Sequence, residues 1–75
     1  MDMDWVAGEG GERVATLRNI RAVVRQVGPQ NFGFWIYSFG DLVERLGGSS
    51  DVEEAMLEAE TMAEGHLVPA RGWKA

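Results

Sequence analysis

Catalysis by this chain would have to run through very few groups. Its 75 residues hold one histidine, His66, no cysteine, and 12 aspartates and glutamates. Without cysteine there is no disulfide, no thiolate zinc site and no thiol nucleophile. A nucleophilic triad or a facial metal site could be built only around His66, and no spaced motif marks partners for it. Its position just behind a predicted helix, where partial positive charge is favourable, suits a structural role instead. Gly8-Glu9-Gly10-Gly11 begins like a phosphate loop, yet Arg13 stands at the third glycine of G-x-G-x-x-G and no lysine-serine pair follows. It reads as a flexible turn. Asp2 and Asp4 do not continue into a calcium loop. Carboxylate pairs do acid–base work in a cleft that drives their pKa values apart, and a chain this short leaves little room for one. The expectation is a protein that is not an enzyme, with no metal and no cofactor.

Interaction chemistry is better represented, in two groups of residues. The first is Arg21, Val23 and Arg25 on one segment, Trp35 and Tyr37 on the next, and Arg45 on a third. Tryptophan, tyrosine and arginine are the types enriched at protein-interface hot spots. They are also the types that stack and clamp bases on RNA-binding sheets, although Arg13, Arg21, Arg25 and Arg45 would have to act against a net charge of -5. The same residues could equally be half-exposed packing and solubilising groups. The second group is acidic: Glu53, Glu54, Glu58, Glu60 and Glu64, with Leu57 among them and no base between. Such a run is an ordinary solvated helix face, or a negative patch that docks on a basic groove of a partner.

The elements that must carry these residues follow from periodicity. Val52, Ala55, Met56, Ala59, Met62, Ala63 and Leu67 repeat with helical spacing and predict an amphipathic helix over 51–65. Ser50 and Glu53 have the spacing of a capping box, acids fill the first turn, and Gly65 or the His66–Pro69 segment ends the helix. Upstream the period is two. Phe32, Phe34 and Ile36 point one way and Trp35 and Tyr37 the other, predicting strands over 32–39 and 42–47 joined by a turn at Gly40-Asp41. Gly28-Pro29-Gln30-Asn31 reads as another turn. Residues 12–27 fit a helix with Val14, Leu17, Ile20, Val24 and Val27 on one side, or two strands, 12–18 and 20–27, divided at Arg18-Asn19. Three valines and an isoleucine in the second half favour strands, and one helix needs more than a lone hairpin to cover. Trp5-Val6-Ala7 adds an edge strand or plugs the core.

The fold expected is therefore α+β, an antiparallel three- to four-stranded β-meander with one C-terminal amphipathic α-helix packed on one face. It is a single small domain over 1–75 with a tail at 68–75. Alternation places Ile20, Ala22, Val24, Phe32, Phe34, Ile36, Leu42 and Leu46 under Val52, Met56, Ala59 and Met62. One helix leaves the other face, with Arg21, Val23, Arg25, Trp35, Tyr37 and Arg45, uncovered. The acidic Met1-Asp2-Met3-Asp4 is unlike the basic start of a signal peptide, and the longest apolar stretch, Phe32 to Tyr37, is too short for a bilayer. A cytoplasmic protein is expected. Trp73 either folds back on the core or extends free.

The order Trp5, Ile20-Arg21-Ala22-Val23-Val24-Arg25, Phe34-Trp35-Ile36-Tyr37, Gly48-Ser49-Ser50-Asp51-Val52-Glu53-Glu54-Ala55 and Ala59-Glu60 resembles the short meander-plus-helix proteins of phages, plasmids and other mobile elements. Small acidic proteins of that kind include anti-CRISPR inhibitors. The resemblance implies a non-enzymatic inhibitor that occupies a surface of a nucleic-acid-binding complex through its acidic helix or its aromatic sheet face. No family residue roles carry over. The alternatives are a small nucleic-acid-binding regulator using the sheet face, and a homodimeric accessory subunit.

Overall fold

A computed structural model describes residues 3–69. Five antiparallel strands run in sequence order, β1 (Trp5–Ala7), β2 (Arg13–Leu17), β3 (Ile20–Gly28), β4 (Asn31–Ser38) and β5 (Asp41–Ser49), and α1 (Val52–Glu64) follows. Residues 12–27 are thus strands, dividing at Arg18-Asn19, and Trp5–Ala7 is a fifth strand beyond the three or four expected. Among the described residues no helix is long and apolar enough to cross a membrane. Trp73 lies outside the described residues.

The helix rests on one side of the meander. Its alanines Ala55, Ala59 and Ala63, one turn apart, are buried against a floor of Ile20, Ala22, Val24, Phe34 and Ile36. Small side chains on the helix let its backbone approach the sheet closely, and the β-branched residues below fill the pleats. Val52, Met56 and Leu67 close the margins of this core, and Trp5 and Leu17 pack at its β1–β2 end. Met62, expected inside, stands at the rim and is 38% exposed.

β5 departs from simple alternation. Trp35 pairs with Arg45 and Ile36 with Glu44, but Tyr37 pairs with Leu42, so Val43 is an extra residue on β5. A one-residue slip moves a side chain to the other face of the sheet. Leu42, expected in the core, therefore shares the open face with Tyr37 and is 51% exposed. Glu44 takes a place on the helix side, where its carboxylate oxygen lies 2.8 Å from Nε2 of His66. A second extra residue, at Gly47-Gly48, separates the Phe34–Leu46 pair from the Phe32–Ser49 pair, and Leu46 ends on the helix side at the rim, half exposed.

Two turns and a cap also differ in detail. The β4–β5 turn is Phe39-Gly40, not Gly40-Asp41, since Ser38 already pairs with Asp41. Both turn residues have positive φ, 51° and 88°, the twist that matches a right-handed hairpin. The Ser50–Glu53 capping box does not form. The N-cap is Asp51, extended and without a side-chain cap bond, because β5 continues to Ser49 and delivers the chain to the helix one residue later. Ser49 instead donates its hydroxyl proton to Glu58 at 2.6 Å.

Polar side chains fasten the ends of the layers. Asn19, read as a plain turn residue, is buried. Its Nδ2 donates to Ser38 Oγ at 2.8 Å and to the His66 carbonyl at 2.7 Å, while its Oδ1 accepts from the Val68 N–H at 2.9 Å. One side chain thereby ties the β2–β3 turn to β4 and to the segment after α1. At the other edge Glu60, only 8% exposed, accepts from the Met3 N–H at 3.1 Å and from Trp5 Nε1 at 2.8 Å. Glu60 therefore does not belong to the outer acidic surface. It lies one turn beyond Met56, on the buried flank, and binds the N-terminal strand to the helix.

Two stability measurements check this account. Ile36→Ala is expected to cost about 2–5 kcal/mol in urea unfolding, whereas Leu42→Ala costs under about 1 kcal/mol. Equal losses would return Leu42 to the core. Asn19→Ala, which strips the Val68 N–H and the His66 carbonyl of their partner, is expected to cost about 2–3 kcal/mol. It should also speed amide exchange at Val68.

Candidate interaction surface

The open face is built on cross-strand pairs. In the antiparallel register Arg21 stands opposite Tyr37, Val23 opposite Trp35, and Trp35 opposite Arg45. Directly paired residues point to the same side of a sheet, so Arg21, Val23, Arg25, Trp35, Tyr37 and Arg45 all share the face that α1 does not cover. The bulge at Val43 adds Leu42 to them. Arg13 pairs with Val24 and so belongs to the helix side, leaving three arginines on the open face.

Trp35 is the centre of this surface. The Arg25 guanidinium, from β3, lies 5.2 Å from the ring centroid, and that of Arg45, from β5, lies 5.8 Å away. Both are within cation–π range. The indole reaches back along its own strand, its far edge close to Gly33. A Cβ on Gly33 would lie 3.1 Å from the Leu46 carbonyl oxygen but in ordinary contact, at 3.7 Å, with that edge, so glycine accommodates the close approach of the β5 backbone beneath the ring. A glycine inside a strand, here between Phe32 and Phe34, is the sequence signal of such a close approach.

Val23 lies between its cross-strand neighbours Val14 and Trp35 and is only 5% exposed. It supports the face from beneath and offers nothing to a partner, contrary to its expected role. Arg25 is partly committed as well. Its Nη2 is 3.1 Å from Glu12 Oε2, with side chains 56% and 18% exposed, a pair worth at most about 1 kcal/mol in such surroundings. The sequence pattern places Glu12 at the start of a strand and does not mark it as a partner of Arg25. Among the described residues Arg21 and Arg45 meet no carboxylate.

Trp35 divides the face into two shallow depressions. One, about 290 Å³, is lined by Glu12, Arg21, Val23, Arg25, Trp35 and Tyr37. The other, about 310 Å³, lies toward β5 among Val27, Gly33, Trp35, Arg45, Leu46 and Gly47. The first is polar and charged. The second is mainly apolar with one guanidinium at its side.

The acidic helix face is smaller than its composition suggests. Glu53, Glu54, Leu57 and Glu64 are exposed, and Glu58 is exposed but engaged by Ser49. Glu60 is turned inward. Among the described residues no cluster of three or more His, Asp or Glu side chains is arranged to hold a metal ion. Comparison of the chain with protein-family models, with curated proteins and with solved structures gave no match.

The packing of Trp35 over Gly33 is open to a direct check. Gly33→Ala crowds the Leu46 carbonyl, a backbone atom held in the β4–β5 ladder, and is expected to cost about 1 kcal/mol or somewhat more. The near-ultraviolet circular dichroism of the indole should weaken with it. An unchanged spectrum and stability would remove Gly33 from the account.

Proposed function

We propose that the protein is a non-enzymatic binding module whose working surface is the open sheet face around Trp35. The observation that carries this reading is the gathering of Trp35, Tyr37, Arg21, Arg25, Arg45 and the half-exposed Leu42 on the side of the meander that α1 does not cover. Aromatic and arginine side chains grouped around a central indole are the usual makings of an interface hot spot. The partner we favour is a protein. Both guanidiniums over the indole come from flanking strands and occupy the ring, so a base could stack on Trp35 only by displacing one of them. The net charge of -5 also opposes a polyphosphate.

The acidic helix side, with Glu53, Glu54, Leu57 and Glu64, is the secondary surface of the same module. Occupation of a nucleic-acid-binding complex, the role of the anti-CRISPR-like mobile-element proteins that the chain resembles, is the biological setting we propose for it. The test is affinity capture from a candidate host lysate with the wild type and two variants. Trp35→Ala, checked for folding by far-ultraviolet circular dichroism, is expected to reduce the captured partner roughly tenfold or more. Glu53→Lys with Glu54→Lys should leave most of it. Full capture by the folded Trp35→Ala protein would overturn the assignment of the surface.

A further inference from the structure

We propose that the open sheet face receives a short acidic segment of its protein partner, carboxylates on Arg21 and Arg45 and an apolar side chain in the depression beside Trp35. This rests on the binding-module reading and adds the chemistry of the occupant. The cations of this face are all arginine, whose planar fork matches a carboxylate bidentately and whose faces stack on aromatic rings. Arg45 is held against the Trp35 ring and makes no ion pair among the described residues. A guanidinium ordered in this way loses less side-chain entropy when a carboxylate arrives. Arg21 lies on β3 beside Tyr37 and makes no ion pair among the described residues, the Glu12 carboxylate of the same depression being taken by Arg25. Beside Arg45, the depression of about 310 Å³ along Val27, Gly33, Leu46 and Gly47 is the size of an apolar side chain with room to spare, while Arg21 lines the other depression, beyond Trp35. A cation at the edge of an apolar slot and a second beyond the indole suit a segment that carries both acids and a hydrophobic residue.

The other occupants fit the face less well. A second copy meeting it through the same face would set Arg21, Arg25 and Arg45 against their own images, a like-charge arrangement. A second copy meeting it through its acidic helix face has the right charge, and self-association is therefore one outcome of the test. Nucleic acid would have to give up base stacking on an indole already covered from both flanking strands.

The experiment is fluorescence anisotropy of the full chain with a fluorescein-labelled peptide of repeated Glu-Glu-Leu triplets. The same peptide with lysine for glutamate and a labelled single-stranded oligothymidylate serve as comparison probes. The glutamate peptide is expected to bind saturably and to weaken roughly tenfold between about 20 mM and about 300 mM salt. Arg45→Glu and Arg21→Glu, both on the surface and confirmed folded by circular dichroism, should each weaken it by roughly tenfold or more. The lysine peptide should not bind. The proposal is overturned if the two peptides bind alike, if neither arginine variant changes the affinity, or if the oligonucleotide binds more tightly than the glutamate peptide. A concentration-dependent dimer in sedimentation that disappears with Arg45→Glu would also overturn it, making the second copy the occupant. Failure here with partner capture still lost in Trp35→Ala would reject the acidic segment and leave the binding module standing. Retained capture in that variant would reject both.

Discussion

A single helix of 13 residues, about 20 Å long, covers one side of a five-stranded sheet, and most of the molecule follows from that asymmetry. The closeness of the cover depends on Ala55, Ala59 and Ala63, each at most 3% exposed. Larger residues at these positions would lift the helix off Phe34 and Ile36 and open voids in a core whose largest fully buried side chains, among the described residues, are Phe34, Ile20, Ile36 and Val24. A chain of this size has little apolar area to spare. Among the described residues the side of the sheet away from the helix has no layer of its own, and its side chains stabilise one another.

The thin core is supplemented by polar fasteners at the margins. Asn19, Glu60 and the His66–Glu44 pair join segments far apart in sequence, and the Ser49–Glu58 pair ties the end of β5 to α1. In the absence of disulfides these contacts hold the N-terminal strand, the helix and the segment that follows it to the sheet. Buried or half-buried hydrogen bonds of this kind stabilise modestly when made and cost more when broken. The position of Glu60 illustrates the balance. It is an acid near the negative end of the helix dipole, an unfavourable place, and it is kept there by the Met3 amide and the Trp5 indole.

On the open side, stacking takes over the part that a second layer would play. Arg25 and Arg45 flank Trp35, Trp35 and Val14 shelter Val23, and Glu12 neutralises one of the two guanidiniums. The result is a surface ordered without being covered. Order before contact is what a binding face needs, because side chains already fixed have less entropy to lose. The same packing that orders this face in water is what the proposed binding role would draw on.

Much of this was legible in the residues. Hydrophobic period separates the helix at Val52–Glu64 from the strands before it, β-branched content decides for strands at 13–28, and strict alternation puts Arg21, Arg25, Trp35, Tyr37 and Arg45 on one side. These are local properties, set by backbone geometry and side-chain shape. Tertiary structure alone decided the rest. The extra residue at Val43 turned Leu42 outward while Glu44 kept its place on the helix side beside His66, since a bulge is a matter of pairing register that one strand's pattern does not contain. Glu60 went inward because the Trp5 indole N–H and the Met3 amide, 55 and 57 residues distant, needed an acceptor. The capping box yielded to a strand that runs on to Ser49. In each case the local preference was weak, and a contact between residues remote in sequence outweighed it.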